Sequence, residues 1–455
     1  MMQIKLPRAV EIAINKLKSA GHEAYIVGGC VRDALRGVEP HDYDMTTSAL
    51  PEETKEIFSE YRIIETGMKH GTVTALIEGE PLEITTFRVD GTYSDHRRPE
   101  EVTFTRSLRE DVARRDFTVN AMAYSPETGV MDFWGGREDL ANGIIRAVGE
   151  PDRRFNEDAL RIMRAARFAS VLDFEIEKGT AESMIRNRGL LENISAERIN
   201  VELSKLLVGD GCERILTDYA VILTEIIPEL APAVGFDQHN YHHIYDVYTH
   251  IVKAVVSCPK DRNIRMAALL HDVGKPDTFS IGADGVGHFY GHSEKSVEIA
   301  ENVLTRLKFD NASKNEILTL IKYHDPVIPV KRSAVGRWAR RLGMETLFKL
   351  LDLKAADNMA QAPEFIDRLK GYDEIREIAN EMIAENACFS LKDLAVNGGD
   401  LIKCAGFTAG KAVGEALSAL LDAVISEELP NDREVLLARA RELNAEKTIN
   451  EIKRS

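Results

Sequence analysis

Residues 25–47 read YIVGGCVRDALRGVEPHDYDMTT, and the order of their parts decides how the N-terminal region folds. Tyr25 to Val27 is apolar and β-favouring, which predicts a short strand. Gly28 and Gly29 follow at once, and Cys30 to Arg36 has a helical pattern. A strand–Gly-Gly–helix unit lets backbone N–H groups approach phosphate oxygens. Arg32, beside Asp33, adds a planar fork that fits phosphate. Asp42 and Asp44 stand two apart, so on a strand both carboxylates point to one face. Two hard oxygen ligands on one face suit Mg²⁺. Taken singly, Gly-Gly is an ordinary turn and Asp-x-Asp a solvated loop or a helix cap. In this order and spacing they point to a divalent metal beside a phosphate chain.

Working outward, "TVTALIEG", "PLEITTFRV" and "EEVTFTR" read as strands, and "TGVMDFWGGREDLANGIIRAV" as a hairpin with a closing connection. After Pro151 the pattern is helical nearly to the end, apart from the glycine-rich loop "FSIGADGVGHFYGH". A small α/β head followed by a long all-α remainder is therefore expected. The N-terminal "MMQIKLPRAVEIAINKLKSAG" has the pattern of an amphipathic helix and not of a signal peptide. No stretch approaches the roughly 18 apolar residues of a membrane span. Five scattered cysteines without a CxxC pair favour a reducing cytoplasmic setting and disfavour a zinc finger. The net charge of −16 disfavours nucleic-acid binding by itself. Against this, "KRSAVGRWARR" (Lys331 to Arg341) is basic without an acid, and Arg153, Arg154, Arg161, Arg164 and Arg167 form a second group.

Nucleotidyl transfer needs metal to lower the pKa of an attacking hydroxyl and to neutralise a triphosphate. Asp42 and Asp44 are two candidate ligands. Glu83, alternating with Leu82 and Ile84, faces away from the apolar side and is a candidate third; an ordinary solvent-facing glutamate is the alternative. In "EDVARRDFTVNAMAY", Arg114, Arg115, Asp116 and Asn120 lie beside an apolar helix face, with Asp116 and Asn120 at helical spacing. Between these motifs "RVDGTYSDHRRPEEV" (Arg88 to Val102) reads as a mobile loop. In "EPDRRFNEDALRIMRAARFA", Asp158 and Arg161 on one helix present an acceptor beside a donor. That pair matches cytosine and adenine and opposes uracil and guanine. The alternative is a surface i,i+3 salt bridge.

Taken together these segments resemble the class II tRNA nucleotidyltransferases, the bacterial CCA-adding enzymes. The matching segments are "GGCVRDALRG…HDYD", "RRDFTVNAMA", "DFWGGREDLANGIIR", "EDALRIMRAARFA" and "ISAERINVELSKLL". The resemblance implies an α+β chain: a polymerase-β-type nucleotidyltransferase head (1–149), a helical neck (150–215), a helical body (216–330) and a helical tail (331–455). It implies Mg²⁺ at Asp42 and Asp44, and addition of C, C and A to tRNA from CTP and ATP. It makes Gly28, Gly29, Arg32, Asp33, Arg115, Asn120, Asp158, Arg161, Arg164 and Arg167 the candidate nucleotide-binding set. An A-only enzyme has nearly the same sequence. A poly(A) polymerase usually carries a basic segment where this chain reads "ETGMKHGTVTAL".

The body holds a second constellation: His250, His271, Asp272, His292, His324 and Asp357. Imidazoles and carboxylates on several helices suit a divalent metal. The set resembles the HD phosphohydrolase superfamily, which implies Ni²⁺, Co²⁺ or Mn²⁺ and hydrolysis of phosphomonoesters or 2′,3′-cyclic phosphates; a structural relic is the alternative. "KRSAVGRWARRLG" and "LKDLAVNGGDLIK" are expected to contact tRNA backbone. Two rival classes remain at this level: an HD phosphohydrolase whose head only binds nucleotides, and a non-catalytic tRNA-binding protein.

Overall fold

A computed structural model describes residues 4–91, 102–283 and 285–454 of the chain. It packs as two compact units, residues 1–231 with 303–309, and residues 232–302 with 310–455.

In the first unit the strands are β1 (Ala24–Val27), β2 (Asp44–Thr47), β3 (Arg62–Ile64), β4 (Thr72–Ile77), β5 (Glu80–Thr86), β6 (Arg88–Asp90), β7 (Val102–Phe104), β8 (Met122–Ser125) and β9 (Gly129–Asp132). Seven of them form one mixed sheet in the order β3-β4-β5-β2-β1-β8-β9. Its neighbours are antiparallel except β2 and β5, which run parallel with Asp44 opposite Glu83. β1 shows why its sequence lacks alternation. Ala24 and Ile26 enter one core with Val10, Ile14 and Leu17 of the helix Arg8–Ser19. Tyr25 and Val27 enter another with Phe87, Leu108 and Val112. A strand covered on both faces needs apolar residues throughout. β6 and β7 pair as a separate ribbon, and residues 92–101 of the expected loop lie outside the described residues.

Beyond Pro151 this unit is helical, apart from the two-residue strand Glu175–Ile176 that pairs with Ile144–Ile145. The neck departs from expectation at its centre. One continuous helix through Asp158 is replaced by two, Pro151–Glu157 and Leu160–Leu172. Asp158 is extended (φ −138°, ψ 102°), and its carboxylate accepts from Leu160 N at 3.1 Å. Asp158 ends the first helix in extended conformation, and its carboxylate bond to Leu160 N closes a local turn in place of helix continuation.

The second unit is built on the helices Val247–Ser257, Arg262–Leu270, Asn311–Tyr323 and Met344–Met359, which bury their apolar faces on one another. The glycine-rich stretch forms a small hairpin, Ser280–Ile281 with Gly287–His288. A further core of Leu401, Leu420, Leu421 and Leu436 holds the C-terminal helices. No helix among the described residues is long and apolar enough to cross a membrane.

Candidate active site and metal centre

At the start of β2, Asp42 and Asp44 are exposed, and Glu83 stands exposed between buried Leu82 and Ile84. The parallel register sets Glu83 beside Asp44. All three line one cleft of about 680 Å³, together with His41, Thr74 and Glu80. Carboxylates facing a common open space, on strands tied by backbone hydrogen bonds, form a donor set that fits a hard divalent cation.

Gly28 follows the last residue of β1. Its φ of +86° belongs to glycine, and a Cβ there would meet Arg115 Nη1 at 2.7 Å. Arg115 is thus tucked under the Gly-Gly turn. The helix Gly29–Leu35 begins immediately afterwards. Arg32 does not point an idle fork at solvent: Asp33 accepts from its Nε and Nη2 at 2.9 and 2.8 Å, and Asn120 Oδ1 accepts from Nη1 at 2.7 Å.

The expected helix face carrying Arg114, Arg115, Asp116 and Asn120 is a correction. The helix stops at Ala113, and Thr118–Asn120 is a turn of 3₁₀ helix. Asp116 and Asn120 still meet, with Asn120 Nδ2 donating to Asp116 Oδ1 at 3.1 Å. Asp116 Oδ2 accepts from Arg164 Nε and Nη2 at 2.9 and 2.6 Å. Burial by itself raises the Asp116 carboxyl, and the Arg164 guanidinium outweighs that, holding it well below the usual carboxylate range. Arg167 donates to Glu202 at 2.8 Å and lies over the Phe168 ring. A polar chain thus runs from Asp33 through Arg32, Asn120 and Asp116 to Arg164, joining the sheet to the neck.

The placement of Asp158 and Arg161 on one helix is corrected, and the i,i+3 salt bridge offered as the alternative is not formed. They are not ion-paired, because Asp158 lies outside the helix that carries Arg161. Arg161 donates to Glu157 at 2.9 Å, to Arg154 O at 3.1 Å and to Arg114 O at 2.9 Å. Asp158 Oδ2 accepts instead from Arg198 Nη2 at 2.9 Å. Within the arginine group around residues 153–167, Glu157 pairs with Arg153, Arg154 and Arg161, Asp116 with Arg164 and Glu202 with Arg167, while the Arg153 side chain stays 72% exposed. Sequence reasoning missed Glu157, Arg198 and Glu202. Glu202 left a signal, since it sits on the apolar face of Ala196–Leu207 with Ile199, Leu203 and Leu206. In the second basic stretch, Arg332 and Arg340 are likewise ion-paired, and Arg341 lies over Trp338.

In the second unit the six candidate ligands converge. Each histidine engages Nδ1 with a backbone carbonyl: His250 with Ala360, His271 with Ala268, His292 with Phe289 and His324 with Ile321. Donation there fixes the tautomer and turns the Nε2 lone pairs inward. Asp272 Oδ2 lies 3.2 Å from Nε2 of both His250 and His271, and Asp357 Oδ1 lies 2.9 Å from His250 Nε2. Asp272 Oδ1 faces His292 and His324 at 3.4 and 3.7 Å. His250 Nε2, His271 Nε2 and Asp272 Oδ1 are buried without a hydrogen bond of acceptable geometry. Lone pairs turned on carboxylate oxygens in a buried site fit a cation between them. Burial pushes the His271 imidazole down, and the Asp272 and Asp357 carboxylates outweigh it, raising it to about 10. Lys275, a residue the sequence reading passed over, places Nζ 2.6 Å from Asp272 Oδ2.

Comparison with known proteins follows this layout. Residues 24–146 match the family model described as the poly A polymerase head domain. Residues 173–233 match the probable RNA and SrmB-binding site of polymerase A, and 291–440 a putative second domain of tRNA nucleotidyltransferase. The mixed sheet, its cleft and the helical neck are those of a template-independent nucleotidyltransferase. The CCA-adding enzyme of Ligilactobacillus salivarius is 36% identical over 444 residues, 95% of this chain and 96% of that one. That of Limosilactobacillus reuteri is 35% identical over 98% of this chain and 100% of its own length. The solved Bacillus stearothermophilus CCA-adding enzyme in complex with CTP is 30% identical and superposes with a TM-score of 0.72 over 98% of this chain and 100% of that one. The Thermotoga maritima CCA-adding enzyme, solved with tRNA, shares the fold at 20% identity and a TM-score of 0.58. The chain belongs to the CCA-adding enzymes.

Proposed function

We propose that this chain adds C, C and A to the 3′ end of tRNA from CTP and ATP, with Asp42, Asp44 and Glu83 as the acidic centre. Family membership supports the reaction, and the carrying observation is the Asp44–Glu83 register beside Asp42 in one cleft. Mg²⁺ bound there would supply activation of the attacking hydroxyl and neutralisation of the triphosphate. The chain's own residues hold and orient. Arg115 under the Gly28 turn lends positive charge to the phosphates, and Arg32 is aimed by Asp33 and Asn120. Asp158, steadied by Arg198, accepts from the exocyclic amino group of C or A. Arg161, fixed by Glu157 and two carbonyls, donates to the neighbouring ring nitrogen. Arg164 and Arg167 brace the neck from Asp116 and Glu202. Asp44→Ala is expected to abolish addition to tRNA lacking CCA while tRNA binding in a gel shift persists. Addition at near wild-type rate would remove the assignment.

A second activity is favoured by the converging Nε2 atoms. His250, His271, Asp272, His292, His324 and Asp357 would hold Ni²⁺, Co²⁺ or Mn²⁺, which when bound supplies a water nucleophile for a phosphoester. Lys275 supplies positive charge next to Asp272. Phosphate release from phosphomonoesters or opening of 2′,3′-cyclic phosphates, lost in His271→Ala, is the expected result. No release with any of these metals makes the cluster structural.

A further inference from the structure

The helix Arg332–Leu342 is held in one orientation by its small residues. A Cβ at Gly336 would meet Ile425 at 2.8 Å and Met382 at 3.2 Å, and Val335 and Ala339 are buried. Arg332 and Arg340 are taken up by neighbours: Glu385 and Glu427 hold the first, Asp422 the second. Arg337, Trp338 and Arg341 share a further side of the helix, with both arginines exposed and Trp338 partly so. Neither of these arginines has an ion pair among the described residues. Tyr323, the last residue of the helix Asn311–Tyr323, meets the Trp338 ring edge-on, with centroids 5.3 Å apart and planes at 86°. The Arg341 guanidinium lies 5.3 Å from the Trp338 centroid and 5.7 Å from the Tyr323 centroid, and exposed Lys322 places Nζ 5.5 Å from the Tyr323 ring.

In a chain of net charge −16, two exposed arginines without a carboxylate stand out beside Arg332 and Arg340, which have one each. A guanidinium stacked on a ring keeps its N–H donors in its own plane, pointing past the ring edge and able to meet an anion there. Cations with partly exposed rings between them match a nucleic-acid strand, whose phosphates take the cations and whose base or ribose faces take the rings. An acidic peptide would use the cations and leave Trp338 without a role. We propose that Tyr323, Arg337, Trp338 and Arg341 form a docking surface for tRNA in which the rings take part as well as the charges, and from which Arg332 and Arg340 are withdrawn by their carboxylates. It meets a part of the tRNA other than the terminal nucleotide, which has to lie in the carboxylate cleft of the other unit during addition. The surface sets how firmly tRNA is held and takes no part in the transfer step. The proposal rests on reading tRNA as the substrate.

The test uses the full-length protein with Mg²⁺, ATP and tRNA ending in CC. The double variant Arg337→Gln/Arg341→Gln and, separately, Trp338→Ala are each expected to raise KM for tRNA about tenfold, with kcat and KM for ATP within about twofold of wild type. The slope of log binding constant against log salt should fall by roughly 1–2 in the double variant and stay put in Trp338→Ala, because a stacked ring releases no counterions. Trp338→Phe should recover most of the loss, and Arg340→Gln should leave KM for tRNA within about twofold of wild type. The double variant changes only exposed side chains, so it carries the test even where Trp338→Ala lowers the melting temperature. The chain has two tryptophans, so a Trp134→Phe background makes Trp338 the sole emitter. Its fluorescence should be quenched by tRNA and left unchanged by ATP or polyglutamate. Emission that tRNA does not alter, equal quenching by polyglutamate, or an Arg340→Gln loss as large as that of the double variant overturns the surface. Wild type that extends tRNA with variants that match it removes the surface alone, whereas wild type that neither binds nor extends tRNA removes the substrate reading as well.

Discussion

Asp44 acquires its chemistry from the residue beside it. β2 and β5 are the parallel pair of the sheet, and their register sets Glu83 next to Asp44. Glu80 lines the same cleft from the outer end of β5. Glu83→Ala should therefore lower kcat for nucleotide addition by at least roughly 10²-fold, about 2.7 kcal/mol, and Glu80→Ala by less than about threefold. Equal effects would place the third carboxylate elsewhere. In the proposed reading, base choice is also set by single residues. UTP presents an oxygen where C and A present an amino group, so Asp158 meets it without a proton between them. Asp158→Ala should narrow the CTP-to-UTP ratio of kcat/KM by roughly tenfold, about 1.4 kcal/mol. A parallel fall of both leaves base reading to other residues. The Asp-x-Asp and the adjacent His271–Asp272 were legible because each signal is local, and the remaining members of the histidine–aspartate set followed from the family resemblance. Arg198 was not, since nothing in a linear reading joins it to Asp158 forty residues earlier.

Between elements, the Asp116–Arg164 pair ties the turn after Ala113 to the neck helix Leu160–Leu172. Asp116 is buried, and the Arg164 side chain keeps 33% of its exposure. Breaking the pair with Asp116→Asn should cost about 2 kcal/mol, less than the ~3–5 of a fully buried pair because water reaches the guanidinium. The sign with pH follows from the depressed carboxyl. Its stabilisation is present above the unfolded value of about 4 and is lost as pH falls below it toward the folded value. The melting difference between wild type and Asp116→Asn should thus be full at pH 7 and shrink between about pH 4 and pH 2. A difference constant across that range would show that the pair does not stabilise the fold. The helices on either side were legible from periodicity. Their break at Asp158 was not, because the carboxylate accepting from Leu160 N closes a turn that periodicity does not register.

In the whole molecule, the carboxylate cleft and the histidine–aspartate cluster belong to different compact units with no ligand in common. His271→Ala should leave the rate of nucleotide addition within about twofold of wild type; a larger loss would mean that the cluster serves the first reaction. The division into a sheet-bearing head and a helical remainder was legible from where strand signals cease. The union of head and neck in one unit was not, since it depends on pairs such as Asp116–Arg164 whose partners lie far apart in the chain. Residues of the protein, and no nucleic-acid template, choose which nucleotide is added and when addition stops. This is tested most directly by incubating tRNA that ends before CCA with Mg²⁺ and all four triphosphates, then sequencing the 3′ ends. The expected product is C, C and A in that order followed by arrest, with none from Asp44→Ala. A run of adenylates, addition of A alone, or unchanged product from Asp44→Ala would contradict it.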